Sequence, residues 1–264
     1  MAGPAEKTSA YRERNSTADR ALDILGMFTD AEPVLSGNAV AGKLGVAKST
    51  AYRYLQSLVT NRFLEEAPGG GFRLGLKVLE LARIARRTYG LSEVAAPVMT
   101  ELAETVHETV LLTRRSGNLV VCLDRAESQT HRVRISYERG STLPLNAGAS
   151  ALALLAWSDR AEVESVLRAA PLQRFTPATL TEVDDVLDRL DRIRDDGYAS
   201  TRAEVDPEVL GIAAPIRDES GAVAAAISVA ALATRVAPKA EREIVDQVLA
   251  AAAKISDGLR LTTQ

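Results

Sequence analysis

The segment Val40–Leu58, VAGKLGVAKSTAYRYLQSL, narrows the choice of folds more than any other stretch. Its small Ala41 stands four positions before Gly45, which fits the helix-turn-helix template. A small side chain lets two helices cross closely, and glycine takes the positive φ that the tight turn needs. Val46 plugs the corner, while Ala51 and Leu55 pack the second helix back onto the first. Lys48, Ser49, Thr50, Tyr52 and Arg53 are left facing outward near its start. These types suit a DNA groove: Arg and Lys for guanine edges and phosphates, hydroxyls for phosphates, Tyr for backbone or thymine-methyl contacts. The plain alternative is a three-helix packing unit with an incidental Ala-x3-Gly spacing.

The flanks extend the pattern. Ser16-Thr17 caps a helix expected over Ala18–Thr29, with Leu22, Leu25, Met27 and Phe28 as its apolar stripe. Pro33 breaks that pattern, and Ser36 caps a short helix running to Lys43. A third helix spans Ala47–Asn61, with Ala51, Tyr54, Leu55 and Leu58 on one face. FLEEAPGGGFRLG then reads as a hairpin with a flexible tip, in the place of a wing. Arg62 and Arg73 near its ends are candidate phosphate contacts, whereas Glu65 and Glu66 argue against deep insertion into a groove. Leu76–Tyr89 is again helical and stops at Gly90. Its Arg83, Arg86 and Arg87 form either a solvated face or a contact with DNA or a partner subunit.

Beyond residue 90 the pattern changes. A helix is expected over Leu91–His107, and strands over Thr109–Arg115, Asn118–Arg125 and His131–Ser136. Ala147–Trp157 is an apolar helix, and Thr181–Asp196 an amphipathic one with Val183, Val186, Leu187, Leu190 and Ile193 inward. Strands Gly211–Arg217 and Ala222–Ala231 flank the turn Asp218–Gly221, and Pro238–Leu259 is a closing helix. Strands mixed with helices at either end indicate an α+β domain.

Composition excludes several classes. Of 264 residues, 46% are hydrophobic, which is too many for a disordered chain, and the single Cys122 excludes a disulfide scaffold. Gly140–Ser158 and Gly221–Thr234, the longest uncharged stretches, are interrupted by polar residues or too short to span a membrane. MAGPAEKTSAYRER has no apolar signal-peptide core, so a soluble, cytoplasmic protein is expected. Residues 1–90 carry 13 Lys+Arg against 9 Asp+Glu, and the remainder 19 against 26. A mildly basic first third on an acidic body fits a nucleic-acid-facing end.

With the helix-turn-helix and wing in place, the chain resembles the IclR type (isocitrate-lyase regulator type) of bacterial transcription factor. The stretches that carry the resemblance are ADRALDILGMF, LGVAKSTAYRYLQSL, GFRLGLKVLELA, PLNAGASALALLA, GYAS at Gly197–Ser200, and GIAAPIRDESGAVAAAISV. It implies an N-terminal winged helix-turn-helix domain over 16–75 after a disordered tail of 1–15, and a linker helix over 76–90. A GAF-like α/β domain for effector binding and oligomerisation would follow over 91–264. It also implies palindromic double-stranded operators, a homodimer or homotetramer, and a small effector that is a carboxylic acid or an aromatic metabolite. A symmetric dimer also follows from the few base pairs that one recognition helix covers.

The carried-over effector positions are Asn146, Ala149, Ser150, Thr201, Gly211, Ser228 and Ala230. This sequence departs from the family there. Asn146 stands where His is usual, Thr201 replaces an acidic residue, Gly211 a cysteine, and Ala230 one of two serines; Ala151-Leu152 replaces Gly-Lys. Thinner polar anchors fit a larger or more apolar effector, or one carboxylate held by backbone amides; they also fit a degenerate pocket without ligand.

The remaining candidates read as structural. Cys122 in LVVCLD is core, and Trp157 is core rather than a stacking platform. The seven carboxylates from Glu182 to Asp196 make a solvated helix face interleaved with arginines. His107 and His131, with one distant cysteine, make no metal site, and no cofactor is expected. No Ser-His-Asp, Gly-x-Ser-x-Gly or P-loop spacing supplies a catalytic residue, so an enzyme is not expected. The other open reading is a ligand-independent DNA-binding or architectural protein whose second domain only oligomerises.

Overall fold

The computed structural model describes residues 16–88, 90–128 and 137–262, which fall into two compact units divided between residues 85 and 86. The division lies inside the stretch read as a linker helix. The tail expected over 1–15 and the strand expected over His131–Ser136 lie outside the described residues.

In the first unit, α1 (Ser16–Leu25), α2 (Gly37–Leu44) and α3 (Lys48–Thr60) precede the hairpin β1 (Leu64–Glu66) and β2 (Phe72–Leu74), and α4 (Leu76–Thr88) follows. Ser36 caps α2 by accepting the Ala39 N–H at 3.1 Å. Gly45 ends α2 at φ 65°, and its N–H and that of Val46 close onto the Ala41 and Gly42 carbonyls. Helical periodicity then buries Ala51, Leu55 and Leu58 of α3 against Val40, Ala41 and Leu44 of α2. Two expectations need correction. Helix α1 ends at Leu25 rather than Thr29, and Leu22 is 65% exposed while Ile24 is fully buried. The hairpin also gains a third partner, because Leu35 exchanges backbone hydrogen bonds of 2.9 and 2.8 Å with Phe72.

The second unit is built on a six-stranded antiparallel sheet in the order β5-β4-β3-β8-β7-β6. Its strands are β3 (Thr109–Ser116), β4 (Leu119–Ala126), β5 (Thr142–Pro144), β6 (Ala199–Arg202), β7 (Val209–Arg217) and β8 (Val223–Leu232). Strand alternation sends Ile212, Ala214, Ile227 and Val229 to one face, beneath α5 (Leu91–Val106) and α9 (Pro238–Thr262). Ala213 and Ala226 point the other way, toward α6 (Ala149–Leu155), α7 (Arg160–Arg168) and α8 (Val183–Asp196). These small residues let α6 lie close to the sheet with all of its residues buried.

Helix α7 and strands β5 and β6 had no counterpart in the sequence reading. The α8 carboxylates pair chiefly across to α7, with Arg168–Asp184 and Arg160–Asp191 both at 2.7 Å. Among the described residues no helix is long and apolar enough to cross a membrane.

Candidate nucleic-acid interface and effector cavity

Helix α3 buries one face, so its other face is committed to the surface. Lys48, Ser49, Tyr52 and Arg53 are exposed there and Thr50 is half-buried. No described residue takes the Lys48, Ser49 or Arg53 side chain in a hydrogen bond or ion pair, although the Arg53 guanidinium lies 5.7 Å from the Tyr54 ring centre. Tyr52 has a packing role as well. Its ring meets Phe72 edge-on at 6.1 Å and covers Gly37 so closely that a Cβ there would fall 2.6 Å from it.

The wing arginines differ from each other. Arg62 is exposed and its backbone is left-handed at φ 63°, while its carbonyl accepts the Lys77 N–H at 3.2 Å. Arg73 sits opposite Glu65 in the hairpin register and donates to it at 2.8 Å, so its charge is paired within the wing.

The second unit contains a cavity of about 450 Å³, open mouth included. Ala149, Ser150, Thr201, Gly211, Ser228 and Ala230, far apart in sequence, all line it. Register explains the convergence. Gly211 pairs with Thr201 on one side and Ala230 on the other, and the pleat points alternate residues Ser228 and Ala230 of β8 the same way. Gly211 keeps the space open, since a Cβ there would lie 3.0 Å from Thr201 Oγ1 and 3.2 Å from Ala149 Cβ. Ser150 donates to Ser228 at 2.8 Å across the floor.

Asn146 does not line the cavity. The residue is 1% exposed, and its side-chain amide donates to the carbonyls of Gln173 (3.0 Å) and Leu180 (2.9 Å). A buried amide satisfied in this way anchors a loop and is not offered to a ligand. The loop in turn braces the rim, because Thr176 and Thr179 donate to the backbone carbonyls of Ala203 and Glu204.

The rim also supplies residues that sequence reasoning missed. Glu204 is 4% exposed; its Oε2 accepts the Gly148 N–H at 3.2 Å, and its Oε1 faces Arg189 at 3.4 Å. Burial raises its pKa despite those two favourable partners. Tyr137, pushed up to about 12 by burial and then by Asp206, and Asp206 itself complete the polar lining. An acidic residue in a polar loop carries no sequence signal of burial.

Two other residues lie apart from this lining. Cys122 is packed with Leu111 and Ala230, and burial pushes its thiol up to about 11. Trp157 is half-buried, with the Arg217 guanidinium 4.9 Å from its ring centre.

A winged helix-turn-helix in one unit and a sheet-borne cavity in the other define a class, the DNA-binding transcriptional regulators with a separate α/β domain. The IclR helix-turn-helix domain matches residues 17–68, and the bacterial transcriptional regulator IclR C-terminal domain matches residues 85–257. The chain belongs to the IclR family. It is 29% identical to the HTH-type transcriptional regulator KipR of Bacillus subtilis, over 93% of this chain and 97% of that protein. Identity to the HTH-type transcriptional repressor AllR of Salmonella typhi is 30%, over 88% and 85% respectively. An IclR homologue from Microbacterium hydrocarbonoxydans, solved with 4-hydroxybenzoate, superposes with a TM-score of 0.79 at 28% identity, covering 92% of this chain and 98% of that one.

Proposed function

We propose that this regulator represses transcription by binding a palindromic operator as a homodimer or homotetramer, and that a small metabolite in the C-terminal cavity adjusts its hold on DNA. The observation that carries the reading is the division of α3 into a buried face and an exposed face whose Lys48, Ser49 and Arg53 make no hydrogen bond or ion pair with any described residue. Thr50 and Tyr52 flank that face, and Arg62 and Arg73 of the wing add phosphate contacts.

Leu22 of α1 and Leu76 and Leu79 of α4 are each more than 60% exposed, which leaves apolar side chains for a second copy to cover. The effector class is a carboxylic or aromatic metabolite. The cavity and its six converging residues support a ligand, and so does the 4-hydroxybenzoate held by the Microbacterium relative. Repression is supported by the AllR name, and the kinship with regulators supports a cytoplasmic, non-enzymatic protein.

The test is an anisotropy titration with DNA from upstream of the protein's own gene, at two salt concentrations. Wild type should bind tightly and lose affinity steeply with salt, and a Lys48→Ala, Arg53→Ala double variant should lose the binding. Equal binding by both proteins would reduce the helix-turn-helix to a packing unit.

A further inference from the structure

The cavity already contains a carboxyl group of its own. Glu204 belongs to the loop that closes the rim, is almost fully buried, and occupies the Gly148 N–H with one carboxylate oxygen. Asp206, two residues on, also lines the space, whereas among the described residues no Lys, Arg or His does. The remaining lining is largely hydrocarbon from Leu111, Leu143, Val205, Val209 and alanines.

When Glu204 is ionised, an entering carboxylate meets like charge in a poorly screened site, with Arg189 3.4 Å away on the other carboxylate oxygen, and finds that amide taken. A donor would fare differently. An ionised carboxylate has about four lone-pair sites, and Gly148 and Arg189 use two of those on Glu204.

We propose that the cavity takes an uncharged, mainly apolar molecule bearing a hydroxyl or amide N–H that donates to Glu204, and that it rejects free carboxylates. This rests on the cavity being the effector site and narrows the effector class proposed above to its uncharged aromatic members. Glu204 is then a specificity-determining residue. Its selectivity comes from repulsion of the wrong ligand as much as from attraction of the right one.

The experiment uses the full chain and matched probes that share a ring: benzoate, benzamide and benzyl alcohol, and their 4-hydroxy counterparts. Binding is followed by ligand-observed NMR. Signal belonging to the cavity is defined as that lost in Val209→Phe, which crowds the mouth from a half-buried position, or in Gly211→Leu. Within each set, the amide or alcohol should bind at least about tenfold tighter than the carboxylate. The preference should collapse in Glu204→Gln, a change that keeps an acceptor for Gly148 and removes the charge. A merely structural Glu204 would leave the preference unchanged in that variant, which would overturn the proposal. Carboxylates that bind the cavity as well as their neutral partners would also overturn it while leaving the effector site intact. If neither cavity variant alters any probe's signal, the effector-site reading falls together with the proposal.

Discussion

Ser150 on α6 donates a 2.8 Å hydrogen bond to Ser228 on β8, joining the helical layer to the sheet across 78 residues of sequence. Both residues are buried, and each is the other's side-chain partner. Ser228→Ala should cost about 1–3 kcal/mol by stranding the Ser150 hydroxyl. The double variant with Ser150→Ala should cost less than the sum of the two singles. Urea unfolding of all four proteins closes that cycle, and simple additivity would show that the pair is uncoupled.

Gly45 is surrounded by open space, so a methyl group added there clashes with nothing. Its φ of 65° is the whole obstacle. Gly45→Ala should destabilise the first unit by about 1–2 kcal/mol, purely through the left-handed backbone. Gly45→Asn should cost less, because asparagine tolerates that region. Thermal melts of the two variants measure the difference.

Asn146 holds two backbone carbonyls from one buried amide. Asn146→Ala should cost at least about 2 kcal/mol, since both acceptors lose their donor. Asn146→Asp should cost more, by placing a carboxylate against those same carbonyls. Proteolysis around 173–181 should quicken in both variants, because Asn146 tethers that loop at its two ends.

Burial raises the pKa of Glu204, so the folded state binds its proton more tightly than the unfolded chain does. From its ordinary value of 4.5 upward, folded protein therefore carries more protons, and this group's contribution makes stability fall as pH rises through the folded pKa. Glu204→Gln removes that dependence. The drop in melting temperature between pH 5 and pH 8 should be smaller in the variant, and equal drops in the two proteins would contradict the assignment.

The elements that the sequence made legible are those whose signal is local. Ser36, Gly45 and the spacing of Ala51, Leu55 and Leu58 together reveal the helix-turn-helix, because a cap, a turn and a helical face each depend on residues a few positions apart. The turn Asp218–Gly221 marked β7 and β8 in the same way. Helix α7 also carries a readable local signal, namely the Asp159 cap and the i, i+4 pair Val163 and Leu167. Strands β5 and β6 run only three and four residues and carry no such pattern.

By itself, the sequence determined that the chain has a helix-turn-helix whose Lys48 and Arg53 face outward, and that a mixed α/β domain follows. Periodicity and capping act within a turn or two of chain. The tertiary structure decided the rest, because it depends on strand register and loop closure over long separations. Only folding turns Asn146 into a brace. Only the closing of the 203–206 loop buries Glu204 against Gly148, which gives the cavity a charge that no local pattern encodes.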